Sequence, residues 1–309
     1  MISHCVRSPA LMIVALALFG LRAAAPAGAA GVSVIDDRGV RVTLASAAQR
    51  IVALAPSITE LVYAAGAGAR LVGVPRFSDF PAAARGIPQI GDASRIDLER
   101  VLSLKPDLVV AWKSGNHAAD FEQLERLGFA VFAAEPATLA AIAPLLRKMG
   151  RLAGSAAVAD EAADDFERGI SALGARYGAQ RRVKVFYEIW RQPLMTVSGQ
   201  HMISDVIELC GGRNVFSASP ALTPVVSLES VIAAQPEVVL GGSSAASPEA
   251  FAAPWLRDKN YAGLHNLQAM YVDPDFIQRQ TPRILQGAQI VCAALAQVRA
   301  TPGEQRSVR

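Results

Sequence analysis

Short apolar runs alternate with amphipathic stretches along most of this chain, and the two patterns predict strands and helices in turn. The first apolar runs fall at residues 50–54, 71–74, 108–112 and 130–134. They are nearly continuous, which is typical of parallel strands covered on both faces. Because helical periodicity lies between them, this half of the chain predicts β-α-β units and a parallel sheet.

The alternation stops between Thr138 and about Tyr177 and then resumes. That interval predicts two helices, the second long and amphipathic. Strand patterns return at residues 183–189, 237–242 and 270–273, and an amphipathic helix follows them. We therefore predict an α/β protein in which two Rossmann-like lobes with parallel-sheet cores are joined by a long backbone α-helix.

The predicted boundaries divide the chain into five segments. They are a signal peptide (1–30), an N-terminal α/β lobe (31–150), a backbone helix (151–180), a C-terminal α/β lobe (181–300) and a frayed polar tail (301–309). Ligands of open α/β sheets bind beside the carboxyl ends of the strands. Two facing lobes of this kind are therefore expected to hold a ligand in a cleft between them.

The first 30 residues have the three parts of a secretory signal, namely a basic start, an apolar run of 12 residues and a small-residue stretch. A 12-residue helix rises only about 18 Å, less than the roughly 30 Å core of a bilayer, so a removed signal is favoured over a membrane span. Its removal takes away Arg7 and Arg22 and no acid, which changes 30 basic against 27 acidic residues to 28 against 27. Such an even balance favours neither nucleic acid nor an anionic membrane as a partner. No other apolar run is long enough to span a bilayer, so no stable membrane insertion is expected.

Two segments of the first half recur in the second half. Residues 97–110 (DLERVLSLKPDLVV) align without a gap with residues 227–240 (SLESVIAAQPEVVL), and a weaker echo relates residues 58–66 to residues 203–211. Such internal similarity supports two lobes of one design, each with its own copy of a helix, a proline and a strand.

Each copy of the first repeat places a glutamate, Glu99 or Glu229, two positions after a helix-capping residue. The helix dipole favours an acid in the first turn, which explains either glutamate alone. Two acids at equivalent points of two lobes would also form a two-pronged negative surface. That surface suits docking to a symmetric partner with two basic pockets.

Cys210 and Cys292 are the cysteines that remain once the signal, with Cys5, is removed. Two cysteines in an exported chain are more often one disulfide than two thiols. A bond closing a loop of about 80 residues would stabilise the fold by roughly 4 kcal/mol. The alternative is that both are small core residues.

The sequence has no G-x-S-x-G, P-loop or H-E-x-x-H pattern, so the signals for an enzyme are weak. We therefore expect a protein that is not an enzyme. Three histidines outside the signal, His117, His201 and His265, are too widely spaced for a local metal motif. Because His117 and His201 both lie in loops that lead into helices, a metal-binding protein that uses them is an alternative of another class.

Several longer motifs resemble a known family over residues 50–298. They are RIVALAPSITELVYAAG, FSDFP, IDLERVLSLKPDLVVAWKSGN, VSGQHMISDVIELCGGRNVF, VSLESVIAAQPEVV and DFIQRQTPRILQGAQIVCAAL. The chain resembles the substrate-binding proteins of ABC importers with a helical backbone between the lobes, which include siderophore and haem binders. The AW-x-x-GN pattern, and ELCGG with the late VCAAL, are more similar to the cobalamin branch of that superfamily.

The resemblance implies a monomeric periplasmic carrier without a cofactor of its own. It would capture cobalamin or a related corrinoid and deliver it to an ABC permease dimer. The same kind of carrier for haem or a ferric siderophore is the alternative, because those binders share the general lobe motifs. The family's lobe-tip glutamates, which meet permease arginines, match Glu99 and Glu229, and the family's disulfide matches Cys210 and Cys292.

The resemblance also implies a set of ligand-binding residues. They are Phe77, Trp112, Trp190, Asp275, Phe276, Ile277, Gln278 and Arg279. Two further cleft tryptophans of the family correspond to Ala93 and Thr223, so less aromatic area is available to a flat macrocycle.

Five of the named residues also have a purely structural interpretation. Trp112 and Trp190 would be core aromatics, Phe77 would pin its own loop, and Asp275 and Arg279 would form a private i,i+4 pair of little energetic value. The polar residues beside both tryptophans favour the opposite interpretation, in which the chain emerges into the cleft at the end of a strand.

Overall fold

The computed structural model describes residues 1–2, 31–242, 245, 247–257, 263–264 and 267–301. Nearly all of the predicted signal peptide and of the predicted tail therefore lies outside the described residues. From Gly31 onward the chain is one compact unit. No helix within the described ranges is both long enough and apolar enough to cross a membrane.

The N-terminal lobe consists of a parallel sheet with helices and two small hairpins. Its strands are β1 (Val32–Ile35), β2 (Arg41–Leu44), β3 (Ile51–Ala53), β4 (Leu71–Gly73), β5 (Gly91–Asp92), β6 (Arg95–Ile96), β7 (Leu108–Trp112) and β8 (Val131–Ala134). Its helices are α1 (Pro56–Ala64), α2 (Leu98–Ser103) and α3 (Ala118–Arg126). The parallel sheet has the order β4-β3-β7-β8, while β1 with β2 and β5 with β6 form antiparallel hairpins.

Two helices, α4 (Leu139–Ala153) and α5 (Ala156–Tyr177), follow the first sheet. Gly154 ends α4 in the left-handed region with a φ of 65°, so the chain turns and α5 packs back against α4. Arg147 on α4 reinforces this packing with ion pairs to Asp164 and Glu167 on α5. The boundary predicted at residue 151 falls inside α4.

The C-terminal lobe repeats the architecture of the first. Its strands are β9 (Val183–Glu188), β10 (Gly212–Asn214), β11 (Val238–Gly241) and β12 (Gln268–Tyr271). Its helices are α6 (Met202–Leu209), α7 (Leu228–Ala234), α8 (Pro248–Arg257), α9 (Pro274–Ile277) and α10 (Ile284–Ala300). The parallel sheet has the order β10-β9-β11-β12, which again places the first strand between the second and the third. Two α/β lobes are thus confirmed, although the last strand begins two residues earlier than expected.

The strands of both sheets bury both faces, as their continuous apolar runs predict. Ile51 and Leu108 point into one hydrophobic cluster, while Val52 and Val109 point into another on the opposite face. The first cluster also contains Val185 of the C-terminal sheet, together with residues of α4, α5 and α10. Because one core runs through both lobes, the lobes are packed together through it as well as joined by the chain.

Cys210 and Cys292 form a disulfide, which confirms that expectation. The bond joins the C-terminal end of α6 to α10, and both residues are fully buried in the shared core. It therefore fastens α10 to the end of α6 within the C-terminal lobe.

Candidate functional site

Loops at the carboxyl ends of the two sheets contact one another. The loop after β4 carries Phe77 and Asp79, and the segment after β12 carries Arg279. The Arg279 Nη1 atom donates to Asp79 Oδ1 at 3.2 Å across this junction. The structure thus brings together two of the sequence-predicted ligand segments, at the sheet edge where α/β proteins bind ligands.

Phe77 is held outward rather than packed into its own loop. Its side chain is 71% exposed, and its φ of 66° lies in a region that bulky side chains rarely adopt. The Arg76 guanidinium lies 5.7 Å from the centre of the ring. A strained backbone that presents an aromatic ring to solvent is typical of a binding site, and the loop-pinning interpretation does not hold.

Trp112 is less exposed than expected, because its ring is half-buried against the shared core. A side chain at Gly115 would collide with that ring, which explains the glycine of the AW-x-x-GN pattern. The next residue, Asn116, is buried and accepts a hydrogen bond from the Trp112 backbone N–H at 2.7 Å. Its amide also donates to the carbonyls of Leu54 and Ala93, so one asparagine fixes three loops at this sheet edge.

Trp190 occupies the corresponding edge of the C-terminal lobe. Its side chain is 46% exposed, and its Nε1–H donates to the carbonyl of Gln192 at 2.9 Å. Antiparallel bridges pair Trp190 with Met195 and Met195 with Val225. Directly paired residues share one face of a ribbon, so these three side chains form an apolar surface beside exposed Thr223.

Arg279 belongs to a larger ion-pair cluster than its sequence neighbours suggest. Asp275 contacts its Nη2 at 2.9 Å, as the i,i+4 spacing predicts. Its Nη1, however, also donates to Glu60 Oε1 of α1 at 2.7 Å. Although burial lowers the pKa of Arg279, its hydrogen bond to Glu60 and the charge of Asp275 outweigh burial and raise the pKa. The interpretation as a private surface pair is therefore wrong.

The rest of the predicted segment contributes less to the site. Ile277 is only 1% exposed and packs into the shared core. The expectation that its side chain contacts ligand is corrected here, because a short helix turns it inward. Gln278 donates to the buried hydroxyl of Tyr187 at 3.3 Å, and Phe276 lies 4.9 Å beneath the Arg283 guanidinium. Both side chains are half-buried, and these contacts hold the segment in place.

Glu188, which the sequence did not single out, is a buried carboxylate at the end of β9. It pairs with Arg191 Nη2 at 2.6 Å and accepts from Trp255 Nε1 at 2.6 Å. The Arg191 guanidinium also lies 5.1 Å from the Trp255 ring. This network anchors both ends of the short turn on which Trp190 is displayed.

The two histidines of the metal-binding alternative are placed differently. His201 Nδ1 accepts from the Ile203 N–H at 3.1 Å and caps α6, and burial lowers its pKa to about 4. His117 precedes α3, is exposed and makes no side-chain cap bond. Among the described residues no three His, Cys, Asp or Glu side chains are grouped to hold a metal ion. His265 lies outside them.

Glu99 and Glu229 occupy equivalent positions in the two lobes. Each is exposed in the first turn of its helix, after a capping residue whose side chain accepts a backbone N–H, Asp97 at 2.9 Å and Ser227 at 3.2 Å. The N–H of Glu229 itself and the Ser227 hydroxyl lower the pKa of Glu229. The starts of both helices therefore present an exposed carboxylate to solvent.

Comparisons with known proteins agree on the family. A family model described as periplasmic binding protein matches residues 51–265. The vitamin B12-binding protein of Vibrio campbellii is 36% identical over 252 residues, which are 82% of this chain and 91% of that protein. The corresponding protein of Yersinia pestis is 35% identical over 254 residues, or 82% of this chain and 89% of that one.

Solved structures of periplasmic binding proteins are also similar to this chain. The crystal structure of the periplasmic vitamin B12 binding protein BtuF of Vibrio cholerae has a TM-score of 0.73 and 32% identity, covering 82% of this chain and 99% of that one. The haem-binding protein RhuT of Roseiflexus sp. RS-1 has a TM-score of 0.68 at 24% identity, covering 81% and 98%. At that identity the second likeness concerns the fold alone.

Proposed function

The chain belongs to the periplasmic binding protein family, and we propose that it captures cobalamin or a related corrinoid between its lobes and delivers it to an ABC permease. The observation that carries this proposal is the placement of Phe77 and Trp190. Both are exposed aromatic rings on loops at the carboxyl ends of the two sheets, and the Phe77 loop contacts Arg279 through Asp79. Relatives at 32–36% identity that are named vitamin B12-binding proteins support the same ligand class.

The chemistry of a corrinoid fits these groups. A corrin is a broad, flat ring rimmed by amide side chains, so its faces suit aromatic and apolar surfaces and its rim suits carboxylates and guanidinium groups. Trp190 with Met195 and Val225 supplies an apolar surface, and Asp79, Asp275 and Arg279 supply polar groups. Small residues at Ala93 and Thr223 leave room for direct contact with the ring or with a differently shaped corrinoid.

Haem and ferric siderophores are the alternative ligands of the same carrier type. The first test is a titration of the exported protein with cyanocobalamin, dicyanocobinamide, haemin and ferric siderophores, monitored by tryptophan fluorescence. The second is gel filtration of each mixture, with visible absorption measured in the protein fraction. We expect a corrinoid to co-elute with the protein and to quench fluorescence. Retention of haemin or a siderophore in preference to both corrinoids would overturn the proposal.

Delivery requires a contact with the permease, which we assign to Glu99 and Glu229. Both carboxylates are exposed at equivalent helix starts, which supports contact with basic residues on the two halves of a symmetric permease. Such rim contacts are electrostatic and weaken with salt. In this proposal the protein is a monomer without a cofactor of its own, and residues 1–30 direct its export to the periplasm and are then cleaved off.

A further inference from the structure

Glu60 on α1 joins the two lobes by accepting three hydrogen bonds from side chains of the C-terminal lobe. Its Oε1 accepts from Arg279 Nη1 at 2.7 Å and from Arg283 Nη1 at 3.0 Å. Its Oε2 accepts from the Thr281 hydroxyl at 2.9 Å. All three partners belong to the segment between α9 and α10 of the C-terminal lobe, so one N-terminal side chain fixes that whole segment.

Burial distinguishes this contact from ordinary surface ion pairs. The Glu60 side chain is 3% exposed, and those of Arg279 and Arg283 are 17% and 14% exposed. The Arg283 guanidinium is further stacked 4.0 Å from the ring of Phe80, which follows Phe77 in the same loop. A desolvated carboxylate with two guanidinium partners is strongly held in place, because separation would leave an unpaired buried charge.

Arg279, a proposed ligand residue, is bound by carboxylates of both lobes. Arg279 uses one terminal nitrogen for Glu60 and Asp79 and the other for Asp275, so its side chain is fixed from both lobes. Asp79 and Asp275 are 46% and 42% exposed, whereas Glu60 is not. Glu60 therefore holds Arg279 from the buried side, while Asp79 and Asp275 remain exposed beside it.

We propose that Glu60 is a positioning residue for ligand binding, which fixes Arg279 and the loop of Phe77 against each other across the lobes. It does not touch the ligand. It restricts the conformations of the two segments in the free protein, so that ligand binding costs less conformational entropy. This inference rests on the proposed function for its ligand, but the fixing of the segments is a property of the free protein.

The repeat supplies a matched control. In the alignment of residues 58–66 with residues 203–211, Glu60 corresponds to Asp205 of α6. Asp205 accepts from the Leu139 backbone N–H at 3.1 Å and so contacts the start of α4 instead of a ligand segment. The variants Glu60→Gln and Asp205→Asn make the same carboxylate-to-amide change at equivalent positions of the two lobes.

The first measurement is hydrogen exchange of the ligand-free protein. Glu60→Gln should raise exchange in residues 78–84 and 279–284, where backbone bonds such as Thr281 N–H to the Arg279 carbonyl depend on the cluster. Asp205→Asn should leave both segments as in the wild type. Unchanged exchange of these segments in Glu60→Gln would overturn the inference whatever the ligand proves to be.

The second measurement is the affinity for cyanocobalamin from tryptophan quenching. We expect Glu60→Gln to weaken it about tenfold, with partial recovery in Glu60→Asp, which restores the charge, and no change in Asp205→Asn. If wild-type protein binds no corrinoid, the proposed function fails and the exchange experiment still judges the positioning. If wild-type protein and Glu60→Gln bind equally well, the positioning role fails and the proposed function stands.

Discussion

The two lobes share a frame and differ in what they attach to it. Both sheets have the first strand between the second and the third, and the helix before the third strand is capped in the same way. Val101 and Val231 are equivalent and fully buried. Even the unusual backbone recurs, because Lys105 and Gln235 have φ values of 47° and 49° just before a proline.

The loops at the carboxyl ends of the strands differ instead. The N-terminal lobe contributes Glu60 and Asp79 to the ion-pair cluster, while the C-terminal lobe contributes the arginines that they bind. The N-terminal lobe displays Phe77 on a strained turn, whereas the C-terminal lobe displays Trp190 on a small antiparallel ribbon. The repeated parts therefore shape the frame and the two exposed helix starts, and the divergent parts form the candidate site.

The largest change in stability is expected on removal of the disulfide, which only the C-terminal lobe has at this position. Cys210 corresponds to Ala65 in the N-terminal lobe, where a helix ends in the same way without a covalent bond. The variant with Cys210→Ala and Cys292→Ala should lose about 4 kcal/mol of unfolding free energy, because its denatured state is no longer restricted by a loop. Urea denaturation measures the loss. A loss well below about 1 kcal/mol would mean that packing alone holds α10, as it holds the equivalent helix end at Ala65.

The second test compares two buried asparagines. Asn116 ties three loops of the N-terminal lobe together, and Asn214 does so in the C-terminal lobe through the Val197 carbonyl, the Ser204 hydroxyl and the Phe216 N–H. Replacement of either by alanine should cost about 3 kcal/mol, since buried backbone groups lose their partners. Thermal denaturation monitors both variants. Asn116→Ala should in addition weaken ligand binding, because Asn116 also donates to the carbonyl of Ala93, which lies in the proposed cleft. Equal ligand affinities in the two variants would contradict this difference.

How far the sequence predicts this architecture depends on the kind of feature. β7 has the predicted bounds because its apolar run is continuous and is buried on both faces. β12 was expected at residues 270–273 but begins at Gln268, because an edge strand is only half-buried and its first residue is polar. The two-helix interval follows from local periodicity and the disulfide from the number of cysteines left after the signal, whereas the choice of Phe77 rested on the resemblance to the family.

Contacts between distant segments were less predictable. Glu60 was missed because its partners lie 219 to 223 residues further along the chain. The one local signal was a polar pair, Thr59 and Glu60, inside the otherwise apolar start of α1. Ile277 was included because the whole segment 275–279 was assigned from its resemblance to the family. Such a resemblance does not tell which side chains of the segment are buried.

The third test contrasts the two tryptophans. Trp190→Ala should weaken corrinoid binding roughly thirtyfold, or about 2 kcal/mol, because it removes an exposed ring from the proposed site. Its melting temperature should change little. Trp112→Ala should chiefly lower the melting temperature, since that ring packs on the shared core. The two variants are compared by fluorescence titration and calorimetry, and the reverse pattern would exchange the roles of the two rings.

The fourth test uses a histidine in each lobe that precedes a helix. Burial lowers the pKa of His201 to about 4, so between that pH and about 6.5 the unfolded chain binds the proton that the folded chain excludes. Unfolding free energy therefore falls as the pH falls through this window, by about 1 kcal/mol from pH 7 to 5.5. His201→Asn keeps a capping side chain and should remove this loss, whereas His117→Asn, at an exposed residue, should retain the wild-type pH profile. Parallel profiles for all three proteins would exclude the effect.

The smallest change in stability, and the sharpest difference in function, is expected for the repeated glutamates. Glu99→Ala and Glu229→Ala leave the helix caps at Asp97 and Ser227 in place and remove only exposed carboxylates, so unfolding and ligand affinity should stay close to those of the wild type. Uptake should fall in each single variant and further in the double variant, because each carboxylate meets one half of the permease. Transport of labelled cyanocobalamin into permease-containing vesicles, at low and at high salt, measures this.

A matched pair of variants separates docking from helix stability. Glu99→Gln and Glu229→Gln preserve the shape and the helix propensity of the side chain but remove its charge, so they should impair uptake as alanine does. If the glutamine variants transport normally while the alanine variants do not, charge is not what the permease recognises. If every variant transports normally, the glutamate recurs in both lobes because the first turn of a capped helix favours an acid, and the repeat then belongs to the frame alone.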